Sequence, residues 1–200
     1  LVNHVIIGLF EGLVNLNVSL YNKHMYVLVS KLESLPVMSL QTGETIATID
    51  RPVIDVGSLK VAAYLCDRLP RGHQLMLMVQ DIRQIAGDCI IIDSEDELTD
   101  ANDVVRLQEI LRQNFSPLDK TVVTELGQKL GSVEDFTVNL EDSRIQKLYI
   151  RQPLFRSWVN SSLIIDRTQI VDVTPKQITV RDAGTKVPVL APEPTPESHT

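Results

Sequence analysis

The chain has 200 residues, 44% hydrophobic and 22% charged, with a formal net charge of −7. That balance suits one ordinary globular domain or two small ones and excludes a wholly disordered chain. The acidic total and the small aromatic set (four Phe, four Tyr, one Trp) argue against a protein that holds nucleic acid mainly through phosphates or stacked bases.

Residues 1–24 are apolar from Val5 to Leu20, but Glu11, Asn15 and Asn17 keep them short of an uninterrupted membrane span. They lack a basic leader and a small-residue cleavage site. Ile6, Leu9, Leu13, Leu16 and Leu20 fit a helical stripe, while Val14, Leu16, Val18 and Leu20 fit a strand. A segment that satisfies both patterns is committed to neither. The cleaner pattern begins at Met25, which is expected to be the natural start; the competing reading is a peripheral amphipathic anchor.

A first unit, 25–93, reads as short strands with turns between them. Gln41-Thr-Gly43-Glu44 is a turn in which Gly43 can take positive φ. Strands are expected over Thr45–Ile54, Lys60–Cys66, Leu75–Val79 and Cys89–Ile92. Residues 94–117 read as an acidic helical linker, with Asp100 as N-cap and Val104, Leu107, Ile110 and Leu111 as its apolar stripe. Ser116-Pro117 is expected to end that helix. In the second unit, 118–186, strands are expected over Val133–Val138, Ile145–Ile150, Leu163–Ile165 and Ile178–Val180. The tail 187–200 holds four of the ten prolines and reads as disordered. Charge is uneven: net −5 over 94–119 and net +2 over 120–186.

The two units repeat. At an offset of 84, Ile46, Ile49, Val53 and Ile54 meet Leu130, Val133, Thr137 and Val138, and Val61 and Tyr64 meet Ile145 and Leu148. After one inserted residue, Asp81, Gln84 and Ile85 meet Asp166, Gln169 and Ile170. Identities are few, but apolar class and turn position agree, which is read as an internal duplication. Each unit is near the lower size limit for a self-sufficient core, so one compact body is expected.

Leu28-Val-Ser-Lys-Leu, Leu35-Pro-Val, Thr42-Gly-Glu44 and Val53-Ile-Asp55 resemble the opening of a PRC-barrel domain. Leu130-Gly-Ser-Val-Glu-Asp135 and Leu148-Tyr-Ile150 look like the same pattern again, with Gly131 where the first copy has Ala47. The resemblance implies a mostly β chain: two small open, SH3-like β-barrels joined by one amphipathic α-helix, with no catalytic apparatus. The family includes the C-terminal part of RimM-type ribosome maturation factors and the cytoplasmic domain of the photosynthetic reaction-centre H subunit, both assembly roles.

Chemical motifs are sparse. His4, His24, His73 and His199 lack zinc spacing. Cys66 and Cys89 read as buried thiols that pack as small hydrophobes. The acidic run Asp93-Ser-Glu-Asp-Glu97 departs from a calcium loop, with Leu98 and Val104 where such a loop needs Gly and Glu. No nucleophile elbow, Walker loop or dinucleotide fingerprint occurs. The expectation is a cytoplasmic, non-enzymatic adaptor in macromolecular assembly, without cofactor or metal and with no small-molecule substrate indicated.

One connection stands out. Arg151-Gln-Pro-Leu-Phe-Arg-Ser-Trp-Val159 carries the only Trp, and Arg151, Phe155, Arg156 and Trp158 are the candidate partner-binding residues. The bland alternative is that Leu154, Phe155 and Trp158 plug the molecule's own core. A protein partner is expected. RNA or the ribosome is the first rival, and a membrane-peripheral role depends on residues 1–24 being native.

Overall fold

The computed structural model describes residues 26–68, 74–86, 88–152 and 163–181. It is mostly β. The chain enters with β1 (Tyr26–Leu28) and a one-turn helix, Val29–Leu32. A first sheet follows from β2 (Pro36–Ser39), β3 (Thr45–Asp55), β4 (Lys60–Arg68), β5 (Gln74–Met78), β6 (Gln84–Ala86), β7 (Cys89–Ile92) and β8 (Leu98–Asp100). Their spatial order is β6-β7-β2-β3-β4-β5-β8. The helix Gln108–Gln113 then leads to β9 (Thr121–Thr124), β10 (Lys129–Asn139), β11 (Ile145–Arg151), β12 (Leu163–Asp166), β13 (Ile170–Val173) and β14 (Gln177–Val180). These order as β12-β11-β10-β9-β14-β13, and β1 pairs with the far half of β10.

The two sheets share one register. Ile49 faces Cys66 and Ile54 faces Val61 in the first; Val133 faces Ile150 and Val138 faces Ile145 in the second, each 84 residues on. Both bulges of β3, between Ile49 and Arg51 and between Val53 and Ile54, recur in β10 at the same offset. An extra residue in one strand reverses which face the following side chains occupy. Val53 and Ile54 are therefore both buried, but in different clusters. The parallel pair β2–β7, with Val37 opposite Ile90, recurs as β9–β14, with Val122 opposite Ile178. Gly43 and Gly127 close matching turns at φ 72° and 78°. Gly43 donates its N–H to the Ser39 carbonyl and Gly127 to the Thr124 carbonyl.

The halves meet around a two-fold-like arrangement. Val61 N–H donates to the Ser143 carbonyl at 2.8 Å, and Ile145 N–H donates to the Leu59 carbonyl at 2.9 Å. One buried cluster holds Ile49, Ile54, Tyr64 and Leu77 of the first half with Val133, Phe136, Leu148 and Ile165 of the second. A smaller cluster sits on the opposite face of the first sheet. There Leu107, Ile110 and Leu111 of the helical segment cover Val53, Ala63, Leu65 and Met76.

Several expectations need correction. Neither sheet closes into a barrel: β6 and β8 end the first, β12 and β13 the second. A core shared by the two sheets shelters the apolar faces that barrel closure would otherwise have to enclose. The helix is shorter than its apolar stripe suggests. Asp100 is not its N-cap but lies in β8, and a 3-10 turn at Val105–Leu107 precedes the α-helix. Ser116-Pro117 does not end it. Asn114 does, in the left-handed region at φ 43°, donating its N–H to the Ile110 and Leu111 carbonyls. The late correspondence runs at 88 rather than 85, because Met78 faces Ala63 as Asp166 faces Lys147. The expected extension and tail, 1–24 and 187–200, lie outside the described residues.

Candidate interaction surface on the second sheet

On β11 the side chains alternate, with Leu148 and Ile150 buried while Lys147 and Arg151 are exposed and Tyr149 is half-buried. This is the period-2 pattern of a strand with one face on the core. Tyr149 lies directly opposite Ile164 of β12, and Ile164 is 41% exposed. Tyr149, Arg151 and Ile164 therefore share the outer face of the second sheet.

The first sheet shows what this face does elsewhere in the molecule. The residues equivalent to Thr137, Lys147, Tyr149 and Ile164 are Val53, Ala63, Leu65 and Met76. Those four lie under the helical segment 105–113, against Leu107, Ile110 and Leu111. Among the described residues no segment like 105–113 lies over Lys147, Arg151 and Ile164; Thr137 is buried, and the one-turn helix reaches this face where the Ser30 hydroxyl donates to Asp135, opposite Tyr149, at 2.5 Å. The edges differ too. β8 pairs along the outer edge of β5, with Leu75 opposite Asp100, whereas β12, the counterpart of β5, ends its sheet among the described residues. An open edge presents unpaired backbone donors and acceptors.

Of the sequence candidates, the structure places Arg151 on this surface, at the end of β11. It is exposed, and its Nε lies 3.6 Å from Glu134 Oε1. Phe155, Arg156 and Trp158 lie outside the described residues, as do all four histidines. The β11–β12 connection that carries the three begins and ends at this edge. Tyr149 and Ile164 were missed by the sequence reading. The alternation Lys147, Tyr149, Arg151 was the available signal, but which face was covered could not be read from it.

At this edge Asp166 caps the turn that follows β12. Its carboxylate accepts from the Thr168 N–H at 3.0 Å and the Thr168 hydroxyl at 2.7 Å. Those bonds hold it below the usual carboxylate range. Gln169 completes a capping box by accepting from the Asp166 N–H.

The remaining chemical candidates are accounted for within the first half. Cys66 is buried, and burial pushes its thiol up to about 12. Cys89 is half-buried rather than buried; burial followed by Asp88 raises it. The acidic run folds back on arginines: Asp93 pairs with Arg83, Glu95 pairs with Arg68, and Glu97 accepts from the Asp93 N–H. Among the described residues, no group of three or more His, Cys, Asp or Glu could hold a metal ion. No helix there is long and apolar enough to cross a membrane. No family model matches the chain, and no curated protein matches it significantly.

Proposed function

We propose that this is a non-catalytic adaptor or assembly protein of the cytoplasm, an internally duplicated chain related to PRC-barrel domains but with both sheets left open, that docks a protein partner on the outer face of its second sheet. One observation carries the reading. The first sheet buries this face under Leu107, Ile110 and Leu111, and on the equivalent face of the second sheet Arg151 and Ile164 are exposed and Tyr149 is only half-buried. In this reading Arg151, Phe155, Arg156 and Trp158 join Tyr149 and Ile164. The aromatics supply apolar area, the arginines pair with carboxylates or backbone carbonyls, and the β12 edge accepts a strand. The recurring register and matching bulges support the duplication.

The net +2 of residues 120–186 favours, as a second reading, an accessory role in ribosome maturation or RNA processing. A tagged pull-down from native lysate, with and without nuclease, separates the two. A nuclease-resistant protein partner lost in both Trp158→Ala and Ile164→Lys supports the docking face. Ribosomal or processing proteins that vanish with nuclease move the assignment to RNA. Capture that survives both substitutions sinks the proposed surface.

A further inference from the structure

The two-fold-like arrangement is also broken at the seam. Arg167, the first residue of the 3-10 turn after β12, sends its guanidinium across the seam between the halves. Nη2 donates to the Ser58 carbonyl at 2.8 Å and Nη1 to the Leu59 carbonyl at 3.2 Å. Its counterpart, the first residue of the 3-10 turn after β5, is Val79. A valine cannot reach the opposing turn. On that side the seam holds a cleft of about 150 Å³ instead, lined by Tyr64, Val79, Ile82, Leu140 and Ser143 among others.

Three observations describe what this cleft is suited to hold. First, Ser143 is the counterpart of Leu59, so a carbonyl equivalent to one that receives Arg167 lies at the cleft, carrying only the Val61 N–H among the described residues. Second, Tyr64 is 3% exposed and its hydroxyl makes no hydrogen bond among the described residues. No buried side-chain oxygen there is sealed without a partner, so the phenol oxygen opens on the cleft. Third, the turn beside it carries Glu141 where the other turn has Gly57, while Asp142, in the place of Ser58, already faces Arg144 Nε at 3.6 Å. The only cation among its described lining residues, Arg83, is paired with Asp93.

We propose that this cleft binds an arginine side chain presented by a partner protein, reproducing in trans the seat that Arg167 fills in cis. The planar guanidinium fork suits a carbonyl and a phenol oxygen at once, which a lysine ammonium matches less well. The cleft is smaller than the usual small-molecule site, so one side chain is the fitting occupant. It contains neither Arg151 nor the β11–β12 connection, so it stands apart from the docking face proposed above.

The test is a titration of the full chain with N-acetyl-arginine methylamide, followed by amide shifts, with the lysine analogue as control. Saturable shifts at Tyr64, Ile82 and Ser143, several-fold weaker with lysine, are expected. Val79→Arg fills the cleft from within, so it should raise the melting temperature and abolish those shifts. Tyr64→Phe keeps the packing, removes the acceptor and should weaken binding several-fold. An equal response to both analogues, no saturable shift in the folded wild type, or an undiminished response in Tyr64→Phe overturns the proposal.

Discussion

Lys60 and Arg144 face each other in an isolated antiparallel bridge, and each occupies the same position in its own half, 84 residues apart. The bridge is flanked by Leu59 and Ser143, both in the left-handed region at φ 50° and 59°. Both turns accept this strain so that the strands can pair across the seam.

Because the seam carries reciprocal backbone bonds and one core cluster spans both halves, the halves should unfold together. Far- and near-ultraviolet dichroism are expected to report coincident urea transitions. Two separated transitions would show that each half is independently stable.

Gly131 marks the tightest backbone approach in the second sheet. A Cβ there would lie 2.2 Å from the Arg151 carbonyl oxygen and 2.9 Å from Ile150 Cγ2, and the residue sits at φ +156°. Gly131→Ala should therefore cost about 2 kcal/mol or more, the scale of overpacking plus backbone strain. The reverse change at the equivalent position, Ala47→Gly, should cost only about 1 kcal/mol through chain entropy and lost burial. Denaturant midpoints check both, and a Gly131→Ala protein as stable as wild type would refute the close approach.

The thiols should be distinguishable. Burial holds Cys66 protonated, with its pKa near 12, while Cys89 is only half-buried. Under native conditions a thiol reagent should label Cys89 first and Cys66 only on unfolding. Rapid native labelling of Cys66, read by peptide mass, would contradict its burial.

Two carboxylates give stability opposite pH slopes. Glu33 is raised above 4.5 by burial first and then by Asp135 and Asp50, so its charged form opposes folding. As pH falls from neutral through its folded pKa that penalty is relieved. Asp166 is depressed below 3.8 by the Thr168 backbone and hydroxyl, so its contribution is fully present above 3.8 and is lost as pH falls further. Glu33→Gln should flatten the upper limb and raise stability at neutral pH by on the order of 0.5 kcal/mol. Asp166→Asn should flatten the lower limb. Unfolding free energies measured across the acid range test both signs.

Much of the β architecture was legible in the residues. β-branched runs broken by Gly43 and Gly127 placed most long strands within one or two residues, and matching apolar classes exposed the repeat, because period-2 burial and turn geometry are local. The short strands β1, β2, β6, β8, β9 and β13 were not legible, since three or four residues gain strand character only from a neighbouring strand. Nor could local pattern tell which sheet takes β1, where the helix ends, or that Leu107, Ile110 and Leu111 cover one outer face and not its twin. The sequence by itself determined the strand content and the repeat. Tertiary structure alone decided which faces are covered, that Arg167 crosses the seam and that Val79 leaves a cleft there, because those depend on distances between residues far apart in the chain.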